Sequence, residues 1–289
     1  MPVMYCRPAN ALANRLMGIS SCLRLARRWG YDFVLVWEHG YGSFFNAPYS
    51  DLFVSEFKVL SNVLPVDRKF RTVTKIPVPV ENGRSFFAKP DHHEDILIEG
   101  WHHFCFDVED IGKSVLLITN EIRNELLLQI RASSLTTQIY EAYGGDPRRS
   151  FDVGVHIRKG ALEWTGIADV CTTSHIVRFY QALASEVSSA SVYITGTSAL
   201  DNAEFLIGIL SSTIDARVSP AMNFEATLVN HALAIGDFFQ LSRCKTVLRL
   251  ARTTYSGLAA LLGDCSLYTI VSSTAWSKQD PHVMSGSGL

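Results

Sequence analysis

Apolar side chains recur every three or four positions from Ala11 to Trp29, at Leu12, Leu16, Ile19, Leu23 and Ala26. That period predicts an amphipathic helix, closed by Gly30. Arg24, Arg27 and Arg28 stand in its last turns, where the helix dipole favours cations. The pattern then changes. FVLVW at 33–37 is an unbroken β-rich apolar run, as expected of a strand covered on both faces in a parallel sheet. With a short strand at Val3–Cys6 before the helix, a βαβ unit results.

Between residues 40 and 95, Gly, Pro, Asn and aromatics interrupt every pattern, so loops and short elements are expected, such as a strand at Phe57–Leu60. ILIEGW at 96–101 reads as another strand leading into a loop, His102–Asp107, and a long helical pattern runs from Asn120 to about Tyr143. GGDPRRS at 144–150 is the clearest punctuation and divides the chain into domains 1–145 and 146–289. Past it, strands (151–157, 191–195, near 214–218, 245–250, 266–271) alternate with helices (about 174–187, 200–211, 223–242, 254–262). This alternation implies right-handed crossovers and a parallel doubly wound sheet, which binds ligands outside the carboxyl ends of its strands. The polar stretch from Ser272 to Leu289, Gly/Ser-rich at its end, is expected to be poorly ordered.

Composition agrees with two folded domains. The chain has 289 residues, 47% hydrophobic and 19% charged, a balance that fills sizeable cores and differs from the signature of disorder. Net charge is −2 and the basic residues are scattered, which leaves no electrostatic footprint for nucleic acid. A small anionic ligand needs only one or two well-placed cations. The six cysteines, Cys6, Cys22, Cys105, Cys171, Cys244 and Cys265, show no CxxC pair and read as buried thiols in a reducing compartment. No secretory apolar segment opens the sequence and no run approaches the ~20 apolar residues of a membrane span. The expectation is a soluble cytoplasmic protein, with peripheral membrane association left open.

Candidate chemistry gathers at two places. In DVGVHIRKG, His156 and Arg158 lie two apart at the carboxyl end of a strand, on one face, with Lys159 and Gly160 opening the next loop. A guanidinium offers a fixed fork of donors matched to phosphate oxygens and stays charged at physiological pH. The second place is GDFFQLSRCKTVLRLARTTYSGLAALL at 236–262, where Thr253, Thr254 and Ser256 sit at a predicted helix start. Unpaired backbone N–H groups there make an anion site; a simple N-cap is the plainer reading. His92–His93 and His102–His103 lack metal-ligand spacing, and the cluster Phe44, Phe45, Tyr49 and Phe53 reads as core before it reads as a sugar platform. No GxGxxG, GxxxxGK[ST] or GxSxG is present, which disfavours NAD enzymes, P-loop NTPases and serine hydrolases.

GVHIRKG followed about eighty residues later by DFFQLSRCKTVLRLARTTYSGLAALL resembles the donor-binding half of the GT-B fucosyltransferase superfamily, which includes the nodulation-factor and α-1,6-fucosyltransferases. LANRLMGISSCLRLARRWGYDFVLVW also resembles that family's amino-terminal turn, helix and strand. The resemblance implies a GT-B-like α/β fold of two facing Rossmann-like doubly wound domains, an acceptor-side domain at 1–145 and a nucleotide-sugar-binding domain at 146–289. It implies that Arg158 contacts the donor β-phosphate, that His156 shapes the same pocket, that Asp237 helps recognise the purine and that Thr254 and Ser256, beside Thr253, donate to phosphate. Asn14 and Arg15 would face the cleft from the first domain. Many relatives carry a Thr/Asp pair after the next strand, where this chain reads ITGTS at 194–198.

The implied activity is transfer of a sugar, fucose from GDP-fucose, to a glycan hydroxyl with inversion. The resemblance implies transfer without a metal or a further cofactor, and no DxD metal motif is evident. Positive charge at the departing diphosphate is the main catalytic need, and Glu163 and Asp169, in the loop after Arg158, are the nearest candidates to take the acceptor proton. Two alternatives stay open: a glycosyltransferase using another GDP- or UDP-sugar, and a non-catalytic nucleotide- or glycan-binding module of the same fold.

Overall fold

Parallel pairing of short apolar strands organises both halves of the chain. The computed structural model describes residues 1–9, 11–38, 47–61, 64–65, 70–72, 84–90, 94–100, 104–157, 191–196, 215–219, 227–249, 253–272 and 275–281. The chain divides into two compact units, one mainly Met1–Thr136, the other mainly Thr137–Glu225 with Ala232–Pro281.

The first unit carries β1 (Val3–Pro8), α1 (Leu12–Trp29), β2 (Asp32–Trp37), α2 (Tyr49–Leu52), β3 (Phe53–Ser55), β4 (Lys58–Ser61), β5 (Arg71–Thr72), β6 (Arg84–Phe87), β7 (Ile96–Gly100) and β8 (Phe104–Asp107). Five of these strands form a parallel sheet in the order β4-β2-β1-β7-β5. As the periodicity predicts, α1 buries Leu12, Leu16 and Ile19. It ends where Gly30 takes a φ of 75°, a left-handed conformation that a residue without Cβ adopts at little cost.

The arginines of α1 find carboxylates as well as a dipole. Arg24 bonds both oxygens of Asp110, at 2.7 and 3.1 Å, and Arg28 reaches Asp110 at 2.6 Å and Glu109 at 2.7 Å. Burial alone would raise the Asp110 carboxyl, but the Arg24 and Arg28 hydrogen bonds outweigh it and hold the group at about 2.

Two expectations for this unit fail. Part of the predicted loop at 102–107 is the strand β8, paired in parallel with β6; its Cys105 and Phe106 are buried, and the Cys105 N–H donates to the Ser21 hydroxyl at 3.0 Å. The helix predicted from Asn120 to about Tyr143 is two helices, α3 (Val115–Gln129) and α4 (Ser134–Ala142), separated by β9 (Ile130–Ala132). β9 pairs antiparallel with β3. Ser133 enforces the break: its N–H donates to the Leu52 carbonyl at 3.0 Å, and its hydroxyl accepts from the Thr136 N–H at 3.0 Å, so helix restarts there as it does after an N-cap.

In the second unit β10 (Val153–Ile157), β11 (Val192–Gly196), β12 (Ala216–Val218), α5 (Leu228–Leu241), β13 (Thr246–Arg249), α6 (Thr254–Gly263), β14 (Ser266–Ser272) and β15 (Ala275–Gln279) follow in sequence. The sheet order is β12-β11-β10-β13-β14-β15, parallel throughout except for β15. Counted from β10, the parallel strands run 3-2-1-4-5, and their order reverses between β10 and β13. Such a reversal is where doubly wound sheets leave a crevice for ligands.

Ala275–Gln279 corrects the expectation of a poorly ordered tail from Ser272. It returns antiparallel along β14, where it pairs backbone groups that would otherwise form an open edge. The helices expected near 174–187 and 200–211, and residues 282–289, lie outside the described residues. Gly145 and Gly236 both back onto the buried Tyr140 ring, where an added Cβ would sit 2.4 and 2.2 Å from its carbons. Part of the glycine punctuation therefore answers to packing.

Cys6, Cys22, Cys105, Cys244 and Cys265 are buried thiols, and none forms a disulfide; Cys171 lies outside the described residues. Among the described residues no helix is long and apolar enough to cross a membrane.

Candidate functional site

All five residues of β10 are buried, and the strand register sets His156 beside Thr195 of β11 and Arg249 of β13. The carboxyl ends of three strands thus meet around one imidazole. At the neighbouring helix start, the Thr253 hydroxyl lies 3.1 Å from His156 Nδ1 and 2.6 Å from the Ser256 hydroxyl. The Tyr255 ring stacks on His156 at a centroid distance of 5.0 Å and a tilt of 30°.

Arg249 holds this arrangement from beneath. Its Nε donates to the Thr269 hydroxyl at 2.7 Å and its Nη1 to the Thr253 carbonyl at 2.9 Å, tying the start of α6 to β13 and β14. Thr253 occupies the N-cap position of α6, yet its side chain makes no capping hydrogen bond. The hydroxyl is spent on His156 and Ser256 instead, so the first-turn N–H groups of α6 carry the partial positive charge of a helix N-terminus without a side-chain cap. Thr254 is half-buried there, whereas Ser256 is fully buried. Arg158, Glu163 and Asp169 lie outside the described residues; Arg158 follows directly on Ile157, the last residue of β10.

Asp237 is buried in α5 with both oxygens engaged. Oδ1 accepts from the Tyr193 hydroxyl at 2.5 Å, and Oδ2 from Thr195 at 2.6 Å and Ser219 at 2.5 Å. Tyr193 continues to the Tyr140 hydroxyl, 2.8 Å away. Burial pushes the Asp237 carboxyl up to about 6, against the three hydroxyls that favour its ionised form. Sequence reasoning missed these partners. The available signal was a carboxylate inside the apolar run ALAIGDFFQL, which at that position demands donors. Arg249 within VLRL gave a similar signal.

In the first unit Arg15 is 1% exposed, and its guanidinium lies 4.5 Å from the centroid of the Trp37 ring. It donates to the Glu38 carbonyl at 2.8 Å, and burial, opposed by the Glu38 charge, draws it down to about 10. Asn14 is half-buried beside it in α1. Arg7 near the end of β1 pairs with Glu38, and with Glu99 of β7 at 2.6 Å, a charged group at the carboxyl end of the first sheet that the sequence did not single out. Among the described residues no three His, Cys, Asp or Glu side chains are grouped to hold a metal ion.

No protein-family model matches the chain, and no curated protein does. Solved structures do. Fucosyltransferase NodZ from Bradyrhizobium is similar over 97% of this chain and 99% of its own, at 17% identity and a TM-score of 0.59; NodZ α-1,6-fucosyltransferase soaked with GDP-fucose matches over the same shares at 18% and 0.57. An Arabidopsis thaliana FUT1 variant in complex with GDP is similar over 94% of this chain and 71% of its own, at 13% identity and a TM-score of 0.54. POFUT1 in complex with GDP-fucose is similar over 91% and 94%, at 12% and 0.52. The resemblance carried by the two motif segments is thus met in the fold, and the chain has the mixed α/β fold of the GT-B fucosyltransferases.

Proposed function

We propose that the chain is a glycosyltransferase that moves fucose from GDP-fucose to a hydroxyl of a glycan acceptor, with inversion and without a metal. The observation that carries this reading is the cluster at the reversal of strand order, where His156, Thr253 and the uncapped N-terminus of α6 converge beside the residue that precedes Arg158. Anions bind at such helix termini, and fucosyltransferases of the same fold have been solved with GDP or GDP-fucose.

In this reading 146–289 is the Rossmann-like donor domain and 1–145 the acceptor domain. Arg158 grips the β-phosphate, and its fixed charge, with the α6 terminus, stabilises the GDP leaving group as the sugar takes on oxocarbenium character. Thr254 donates to phosphate, while Thr253 and Ser256 hold His156 and the helix start in place. Glu163 or Asp169 accepts the proton of the attacking hydroxyl. The protein works in the cytoplasm, with peripheral attachment where the acceptor is membrane-borne.

Transfer of labelled fucose from GDP-fucose to a panel of glycans is the direct test. Wild-type protein should transfer in the presence of EDTA and give a product of inverted anomeric configuration. Arg158→Lys should fold normally and lose most activity, because an ammonium cannot reproduce the guanidinium fork. GDP-fucose that is neither bound nor consumed would sink the proposal. A dependence on manganese, or a retained configuration, would remove the corresponding part of it.

A further inference from the structure

α3 carries leucines on two opposite faces, and α1 covers one of them. Ile118, Thr119, Ile122, Glu125 and Leu126 are buried, and Arg24 and Arg27 of α1 tie the helix down through Glu121 and Glu125, each at 2.5 Å. On the other side Leu116, Leu117, Leu127 and Leu128 are between 46 and 63% exposed. A lone exposed leucine is ordinary, but two pairs on one helix face make a patch. Helices that are apolar all round are normally covered all round. Ile111 and Leu135, just before and just after α3 in the chain, are exposed as well.

This outer face is symmetric about its middle. Outward from Ile122, and leaving out the buried positions, the helix reads Glu121 and Arg123, Asn120 and Asn124, Leu117 and Leu127, Leu116 and Leu128. At 3.6 residues per turn all eight lie on the side away from Ile122, and at 1.5 Å per residue the two leucine pairs stand about 16 Å apart. A twofold axis passing over Ile122 returns such a face onto itself. Each leucine pair then meets the leucine pair at the far end of a second copy, and Glu121 comes beside Arg123 of that copy. An isologous interface needs this self-complementarity. A lipid surface imposes no such symmetry and would meet Asn120, Glu121 and Asn124 at the centre of the face.

We propose that α3 is the twofold interface of a homodimer, with a second copy of this chain lying antiparallel along it. Leu117 packs against Leu128 of the second copy and Leu116 against Leu127, while the charge of Glu121 is met by that of Arg123 across the axis. Antiparallel helices also set the opposite ends of their dipoles side by side. One helix face is smaller than the ~800 Å² per partner of a standard interface, so association is weak, with a dissociation constant on the order of 10 µM. None of these residues belongs to the donor or acceptor machinery named above, so the dimer stands or falls independently of the proposed function.

Sedimentation equilibrium of the full chain, from well below to well above that concentration, should show a monomer–dimer equilibrium. Leu117→Glu and Leu128→Glu each place a carboxylate in the apolar contact twice per dimer, so either should weaken association at least ~50-fold, with the circular dichroism spectrum unchanged because both positions face solvent in the monomer. Cysteine cross-linking reads the register without a destabilising charge. Under a mild oxidant, a mixture of Leu117→Cys and Leu128→Cys should give a cross-linked pair containing one of each, far more than either variant alone or wild type. A chain that stays monomeric at every concentration, including one that instead pellets with phosphatidylcholine–phosphatidylserine vesicles, overturns the inference. So does a dimer that survives both glutamates, whose contact must lie elsewhere, and so does cross-linking of each cysteine variant to itself, which is the mark of parallel helices.

Discussion

The hydroxyl of Thr253 stands 3.1 Å from Nδ1 of His156 although 97 residues separate them in sequence, and this one contact joins the end of β10 to the N-terminus of α6. It also explains why a threonine at an N-cap position does not cap. The first turn of α6 is left without a side-chain cap, and the hydroxyl that could have supplied one lies against an imidazole and the Ser256 hydroxyl.

Removing that hydroxyl should therefore affect the donor more than the fold. Thr253→Val keeps the shape and deletes the bond to His156 and Ser256. A lost buried hydrogen bond of this kind costs the fold about 1 kcal/mol, so the unfolding midpoint should fall slightly, while GDP, if it meets the helix start that the bond holds, should bind several-fold more weakly. Thr253→Ser should retain wild-type affinity. Titration calorimetry beside circular dichroism measures both quantities, and equal affinity in the valine variant would show that the contact has no part in binding.

Gly196 closes β11 with a φ of 125°, and a Cβ there would lie 1.7 Å from the Ile157 carbonyl oxygen. Backbone cannot yield as a flexible side chain does. Gly196→Ala should cost more than about 3 kcal/mol, because strain at positive φ adds to a direct clash, and it should displace the strand end that leads into Arg158. Urea unfolding reads the loss. A midpoint near that of wild type would mean that β10 and β11 do not approach this closely.

The parts of this architecture that the sequence disclosed are those with a strong period or an unbroken apolar run. α1, β2, β7, β10 and β13 fall within a few residues of their predicted places, since a helical apolar period, or an unbroken apolar run covered on both faces of a parallel strand, leaves a clear pattern. The break at Ile130–Ala132 was hidden because LLLQIRASSLTTQIY keeps a helical spacing straight through it, and what ends α3 is a partner strand about eighty residues away. Phe104–Asp107 and Ala275–Gln279 are short strands defined by their neighbours, not by their own composition. At the candidate site, His156 and Thr253 were legible as strand-end and helix-start residues. Tyr193, Tyr140 and Ser219 were not, because an aromatic in an apolar strand reads as core, and only the fold shows that their hydroxyls converge on Asp237.

Asp110 supplies an acid-side test of stability. Its carboxyl is held at about 2, below the ordinary 3.8, by Arg24 and Arg28. A depressed carboxyl stabilises the fold above its unfolded value and loses that contribution as pH falls through the folded one. The shift of 1.8, from 3.8 to about 2, corresponds to about 2.4 kcal/mol. Asp110→Asn should therefore be less stable than wild type by about 2–3 kcal/mol at pH 6, with the two converging between about pH 4 and pH 2. Chemical denaturation across that range measures the difference, and a constant gap down to pH 2 would refute the ion-pair origin.

Asp237 should behave in the opposite sense. Its folded value of about 6 lies above the ordinary 3.8, so the native state holds a proton that the unfolded chain has released, and stability falls as pH rises between the two values. The difference, about 2.2, corresponds to roughly 3 kcal/mol lost by about pH 7. The stability of wild type minus that of Asp237→Asn should decline from about pH 4 to pH 6 and then level off, a slope opposite to the one Asp110 gives at lower pH. Paired denaturation curves for the two proteins reveal it directly, and a difference that stays flat or rises over that window would mean that the hydroxyls of Tyr193, Thr195 and Ser219 stabilise the ionised carboxylate more than burial disfavours it.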